Sequence, residues 1–77
     1  MNKQRRKQLK EAFTLINDAK AIIEAVANEE QETIDAMPEG LQDGEQCQGF
    51  EENVAMLDSQ LDALECVVDE ITETCNI

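Results

Sequence analysis

The sequence predicts an all-α protein, an antiparallel two-helix hairpin that packs like a short coiled coil. Two long segments rich in helix-forming residues flank the single proline, Pro38, near the middle of the 77-residue chain. Apolar residues recur in both segments at spacings of three and four, which is typical of helices that pack on one another. Basic residues are confined to the start of the chain, so the two helices differ in charge.

The first helix is predicted over about residues 3–36, because Pro38 lacks a backbone donor and disfavours helical geometry at the residue before it. Leu15 and Ile22 widen its apolar stripe, and a wide apolar face predicts contact with more than one helix. We therefore expect Leu15 and Ile22 to face a second chain. Glu30 falls at an inward position and interrupts the stripe, whose apolar members are Leu9, Phe13, Ile16, Ala19, Ile23, Val26, Ile34 and Met37.

The second helix is predicted over about residues 44–75, after a loop over about 37–43. Asp43 is the expected N-cap, with Gln46 three positions later completing a capping box. The heptad seam predicts that Cys47 and Cys75 are buried and that Cys66 is exposed. This seam is the set of apolar residues spaced alternately by four and three. It comprises Phe50, Val54, Leu57, Leu61, Leu64, Val68, Ile71 and Cys75, and a further step of three back from Phe50 reaches Cys47.

Two helices of equal length joined by a short loop predict a single hairpin domain over residues 1–77. In the expected register, residue i lies beside residue 80 − i or so, which places Lys3 to Lys10 against Glu65 to Glu73. A domain this small usually needs disulfides, a metal or oligomerisation to be stable. The spacing of the three cysteines suits neither disulfides nor a metal knuckle, so we expect a homodimer that forms a four-helix bundle.

The composition argues against catalysis. The chain has no His, which removes the usual general base at neutral pH and the commonest zinc ligand. The carboxylates after Asp43 fail the calcium-loop pattern, because Gln48 stands where Gly is needed and Val54 where Glu is needed. We therefore expect a non-enzymatic protein with no catalytic residue, metal or cofactor. The absence of a long apolar run predicts no membrane partner, and cysteines that form no disulfide framework indicate a reducing compartment such as the cytoplasm.

The charge distribution suggests what the protein binds. All six basic residues precede residue 21, while residues 21–77 carry 16 acidic residues. Direct nucleic-acid binding is not expected of the acidic part, because phosphates require a cationic surface. One hypothesis is an acidic module that binds or inhibits a protein with a basic nucleic-acid-binding surface, with DNA mimicry as one form of it. The alternative is a structural or assembly component that acts through self-associating helices. The predicted partner-binding strip is Asp58, Asp62, Glu65, Asp69 and Glu73.

The acidic segment Glu29–Gln42, with its Met-Pro-Glu-Gly-Leu-Gln turn, and the runs Glu51–Val54 and Leu57–Glu65 resemble a group of phage proteins. These are small uncharacterised acidic helical-hairpin proteins of phages and prophages of Gram-positive bacteria. The resemblance covers most of the chain and departs from the group at residues 44–47. It implies a bacterial host cell and a host or phage protein as partner, and it brings no catalytic residues.

Overall fold

The computed structural model describes residues 1–42 and 44–75, without the side chain of Gln42. These residues form the helices α1 (Lys3–Asp35), α2 (Glu39–Gln42) and α3 (Glu45–Cys75). Helices α1 and α3 pack antiparallel as a hairpin with an extent of 59 × 14 × 13 Å. The predicted all-α hairpin is confirmed, and both long helices agree with their predicted bounds to within one residue.

The ends of α1 satisfy backbone groups that the helix itself cannot pair. Asn2 is the N-cap, and its side-chain oxygen accepts a hydrogen bond from the backbone N–H of Arg5 at 2.8 Å. At the other end the N–H of Ala36 donates to the carbonyl of Glu32 at 3.0 Å. Pro38 follows two residues later and cannot continue the helix.

The connection between the long helices contains the short helix α2, whereas the sequence predicted a loop over 37–43. The N–H of Leu41 donates to the carbonyl of Pro38 at 2.8 Å, and the short helix α2 begins at the residue after Pro38. The Gly44 carbonyl accepts the first helical bond of α3, from the N–H of Gln48 at 3.1 Å. The N-cap is thus at Gly44, one residue later than predicted, while Asp43 itself lies outside the described residues.

The predicted seam of α3 is confirmed. Cys47, Val68 and Cys75 are buried, and Cys66 is exposed as expected. The remaining seam members are half-buried, namely Phe50, Val54, Leu57, Leu61, Leu64 and Ile71. This helix therefore contributes one continuous apolar edge to the contact with α1.

The predicted stripe of α1 is wrong at two positions. Ala19 is exposed and Val26 is 42% exposed, whereas Lys20 is half-buried and Ala27 is buried. The stripe through Ala19 contains two successive spacings of three, which would overwind the helix pair locally. Placing Lys20 and Ala27 inward keeps the strict alternation of four and three from Leu9 to Met37. The helix therefore keeps a regular spacing of inward positions, even though the seam then contains the charged Lys20 in place of the apolar Ala19.

The register also differs from the prediction. Lys20 pairs with Glu65, and the Asn53 amide donates to the Glu30 carboxylate at 3.4 Å, so the paired residue numbers add to 85 and 83. Residue i therefore lies near residue 84 − i, one helical turn from the predicted 80 − i. The reason is the short helix α2, which contacts α3 and adds one helical turn to the connection. The chain therefore travels one turn further before α3 begins in the opposite direction. As a result Lys3 to Lys10 do not lie beside Glu65 to Glu73.

Candidate functional site

One side of the hairpin carries a strip of exposed apolar side chains, here called the apolar face. Its largest members are Leu15 (68% exposed), Ile22 (66%) and Met56 (61%). Each member precedes a seam position by one residue, which turns it by about 100° around its helix. The complete set is Leu15, Ala19, Ile22 and Val26 of α1 with Met56, Ala63 and Val67 of α3.

Both stripes of the apolar face lie on the same side because the two helices run in opposite directions. On each helix, a step of one residue back from the seam rotates the side chain by the same angle about the helix axis. Because the two axes point in opposite directions, these rotations are opposite when both helices are viewed from one end, and both side chains turn toward the same side of the pair. A shallow groove confirms this geometry, since its lining combines residues of both helices: Val26, Glu30, Asn53, Met56, Leu57 and Gln60.

The two stripes also match in level along the hairpin. Given the observed register, Leu15 lies within about two residues, or ~3 Å along the hairpin, of the level of Val67, and the same offset applies to Ala19 with Ala63 and to Val26 with Met56. The strip extends for about 17 Å, at 1.5 Å per residue. A contiguous exposed apolar strip of this kind is typical of an interaction site rather than of a solvated surface.

The sequence predicted Leu15 and Ile22 at this face and missed the other members. Ala19 and Val26 were assigned to the core, and Met56 and Val67 were not assigned at all. Strict continuation of the 4-3 alternation from Leu9 would have moved Ala19 and Val26 outward. The contribution of α3 could be recognised only with both helices in place.

The acidic residues predicted to bind a partner are all exposed, but they do not form one strip of five. Asp58, Asp62, Glu65 and Asp69 each follow a seam position by one residue, which places them on the side opposite the apolar face. These four residues are called the acidic face below. Glu73 lies two residues after a seam position, and therefore on the outer side of α3.

Lys20 links the seam to the acidic face. Its ammonium group reaches out of the seam to the carboxylate of Glu65, and the exposed fractions of the two side chains are 23% and 55%. This is the one ion pair within residues 1–42 and 44–75. One carboxylate of the acidic face is therefore already neutralised by its own chain.

The N-terminal basic segment extends past the end of α3. Lys10 lies level with about residue 74 and Leu9 with about residue 75, so residues 1–8 extend beyond the end of α3. These basic side chains are exposed, and they have no ion pair with any described residue. A shallow groove on this segment is lined by Lys3, Gln4, Arg6, Lys7 and Lys10.

The described residues contain no group of three Cys, Asp or Glu side chains positioned to hold a metal ion. The thiol of Cys47 donates to the carboxylate of Glu51, with 3.7 Å between Sγ and Oε1, and Cys47 is fully buried. No helix in the described part of the chain is long and apolar enough to cross a membrane. The surface features that stand out are the apolar face, the acidic face and the basic segment.

A comparison with protein-family models, curated proteins and solved structures finds no match to this chain. The resemblance to phage and prophage hairpins therefore stays a hypothesis.

Proposed function

We propose that this protein is a non-enzymatic protein–protein interaction module that acts as a homodimer. In the proposed dimer, the apolar faces of two hairpins pack together as a four-helix bundle. The observation that carries this proposal is the exposure of Leu15, Ile22 and Met56 on a single side of the hairpin. Helices arranged in a four-helix bundle bury apolar stripes of this kind on two sides.

The surface area of the hairpin supports self-association. The chain exposes 5754 Å², whereas a compact monomer of 8.6 kDa would expose roughly 4,700 Å². The excess of about 1,000 Å² is comparable with the ~800 Å² that each partner buries in a standard interface. A dimer would therefore give the hairpin a core that its elongated monomer lacks.

The acidic face points away from this interface and stays open to another protein. We propose that it binds a basic, nucleic-acid-handling protein of a bacterial host or phage in the cytoplasm. Residues 21–77 of two chains carry twice 16 acidic residues along about 50 Å of helix. That is about one charge per 1.6 Å, against one per ~1.7 Å in duplex DNA, which supports DNA mimicry as the mode of inhibition.

The alternative function is that of a structural or assembly component, in which the bundle itself is the working part. Both functions require the dimer, and they differ in whether the acidic face is needed. The apolar face supports either function, and the opposite position of the acidic face favours the first.

Sedimentation equilibrium at micromolar concentration tests the dimer. We expect the wild type to be a dimer and the Leu15→Glu/Ile22→Glu variant to be a monomer with a lower melting temperature, because both charges would be buried in the interface. The matched control is Ala21→Glu/Ala55→Glu, which adds the same two charges on the side of the acidic face. A monomeric wild type, or equal effects of both double variants, would contradict the proposal.

Neutralisation of Asp58, Asp62, Glu65 and Asp69 to Asn or Gln tests the acidic face. We expect capture of a nucleic-acid-binding protein from host lysate to be lost, while circular dichroism shows an intact helical fold. Wild-type capture should weaken with salt and in the presence of competing duplex DNA, because complementary charges are screened. The control removes the same charge from the outer sides of both helices, at Glu11, Asp18, Glu45 and Glu52. Capture that is equal in both variants, or insensitive to salt, would favour the assembly function.

A further inference from the structure

We infer that the second copy packs on the apolar face with its hairpin reversed. The turn end of one protomer, where α2 joins the long helices, then lies beside the open end of the other, where α1 begins and α3 ends. This inference rests on the proposed homodimer and specifies how its two copies are arranged. The apolar face alone does not determine the direction, since two hairpins can pack through it aligned or reversed.

The observation that determines the direction is the uneven charge along the hairpin. The turn half, residues 21–60, carries 11 acidic and no basic residues. The open half, residues 1–20 and 61–77, carries 7 acidic residues and all 6 basic ones. Because α1 and α3 are antiparallel, the side-chain charge is −11 over one half of the hairpin and −1 over the other.

An aligned dimer would place two halves of charge −11 side by side. A reversed dimer places each such half beside a half of charge −1. The helices of a bundle are 8–10 Å apart, about one Debye length at physiological ionic strength, so the repulsion between adjacent halves is only partly screened. The reversed arrangement therefore has the lower electrostatic energy.

The reversed dimer also gives the basic segment an acidic neighbour. The apolar face of α1 is centred between residues 20 and 21, so a two-fold axis there sets residue i of α1 level with residue 41 − i of the partner's α1. Arg5 lies on the continuation of this face and comes level with residue 36 of the partner. Its side chain then reaches Glu32 of the partner, about 6 Å away along the axis.

The same two-fold axis serves α3. Its part of the apolar face, from Met56 to Val67, is centred between residues 61 and 62, which in the observed register lies about two residues, or ~3 Å along the hairpin, from the centre of the α1 stripe. The axis therefore pairs α1 with α1 and α3 with α3, and it leaves both acidic faces outside. An aligned dimer would instead set α1 against the partner's α3.

An inter-protomer distance measured by electron paramagnetic resonance distinguishes the two directions. The spin label is placed at Gln4→Cys in a Cys66→Ser background, because Gln4 is exposed and the other two cysteines are buried. The reversed dimer predicts about 50 Å between labels, from 33 residues of helical rise. The aligned dimer predicts less than about 25 Å, because the labels share one end of a bundle about two helix spacings wide.

Each outcome of the distance measurement is decisive. A distance near 50 Å supports the reversed dimer, and a short distance overturns it while the proposed homodimer stands. A monomeric sample at micromolar concentration would instead overturn the homodimer itself.

A charge exchange gives an independent test by sedimentation. We expect Arg5→Glu and Glu32→Arg each to weaken the dimer several-fold, and the Arg5→Glu/Glu32→Arg double variant to recover most of the loss. The matched control is Arg5→Glu/Glu24→Arg, which makes the same charge change at a residue on the side of the acidic face. Recovery that is specific to Glu32 supports the reversed dimer. Equal recovery in both double variants, or none in either, overturns it.

Discussion

Lys20 of α1 occupies a seam position, and its ammonium group pairs with the carboxylate of Glu65 at the edge of α3. In a two-helix seam, a single polar residue with a single partner disfavours other alignments, which would leave the charge half-buried and unpaired. Glu30 and Asn53 form a second polar contact ten residues further along α1, in the same register. These two contacts identify the alignment of the hairpin.

The first prediction concerns the Lys20–Glu65 pair. We expect Lys20→Leu to leave stability unchanged or raise it by about 1 kcal/mol, because a well-packed apolar side chain often outperforms an ion pair. Glu65→Gln should lower it by up to about 1 kcal/mol, since the pair is partly exposed. Urea unfolding of both variants and of the double variant measures the coupling. Strong destabilisation by Lys20→Leu would show that the ion pair stabilises this seam position more than an apolar side chain can.

The second prediction compares two neighbouring residues of α3. Leu61→Ala removes a half-buried seam side chain and should cost about 2–3 kcal/mol in the free energy of unfolding. Asp62→Ala alters the exposed acidic face and should be neutral or slightly stabilising, because it relieves repulsion among like charges. Thermal unfolding followed by circular dichroism measures both effects. Similar costs for the two changes would contradict the observed burial pattern.

The third prediction uses two glycines. Gly49 lies inside α3, and a Cβ added there would meet no atom within 4 Å. We therefore expect Gly49→Ala to stabilise the fold by about 0.5–1 kcal/mol, the usual difference in helix propensity. Gly44→Ala is the contrasting case, because its Cβ would lie 3.2 Å from the carbonyl oxygen of Leu41. A larger gain at Gly44 than at Gly49 in urea unfolding would contradict this account of the turn.

The fourth prediction concerns thiol reactivity. Cys66 is exposed on the outer side of α3, whereas Cys47 and Cys75 are buried. A thiol-specific reagent should modify Cys66 rapidly in the native protein. It should modify Cys47 and Cys75 more slowly, because the hairpin must open before the reagent can reach them. Mass spectrometry of the labelled peptides identifies the order. Early labelling of Cys47 would mean that the turn end of the hairpin opens readily.

The candidate site was only partly predictable. Leu15 and Ile22 stood out because they widen an apolar stripe within one helix. Val26, Met56 and Val67 did not, because an apolar residue beside a seam can face either inward or outward. The four aligned carboxylates of the acidic face were predictable from spacing alone, whereas Glu73 was misplaced although the predicted seam already contained Ile71 and Cys75 on either side of it.

The sequence by itself determined the two long helices, their ends and the seam of α3, because helix formation depends on local propensity and on a period of 3.5 to 3.6 residues. The tertiary structure decided the register, the pairing of Lys20 with Glu65, and the sharing of one apolar face between Val26 and Met56. These features depend on how far α2 carries the chain before it reverses and on which residues of one helix meet those of the other. Neither quantity is encoded in the periodicity of a single helix, because a helix can slide along its partner by a full turn and still present the same apolar stripe.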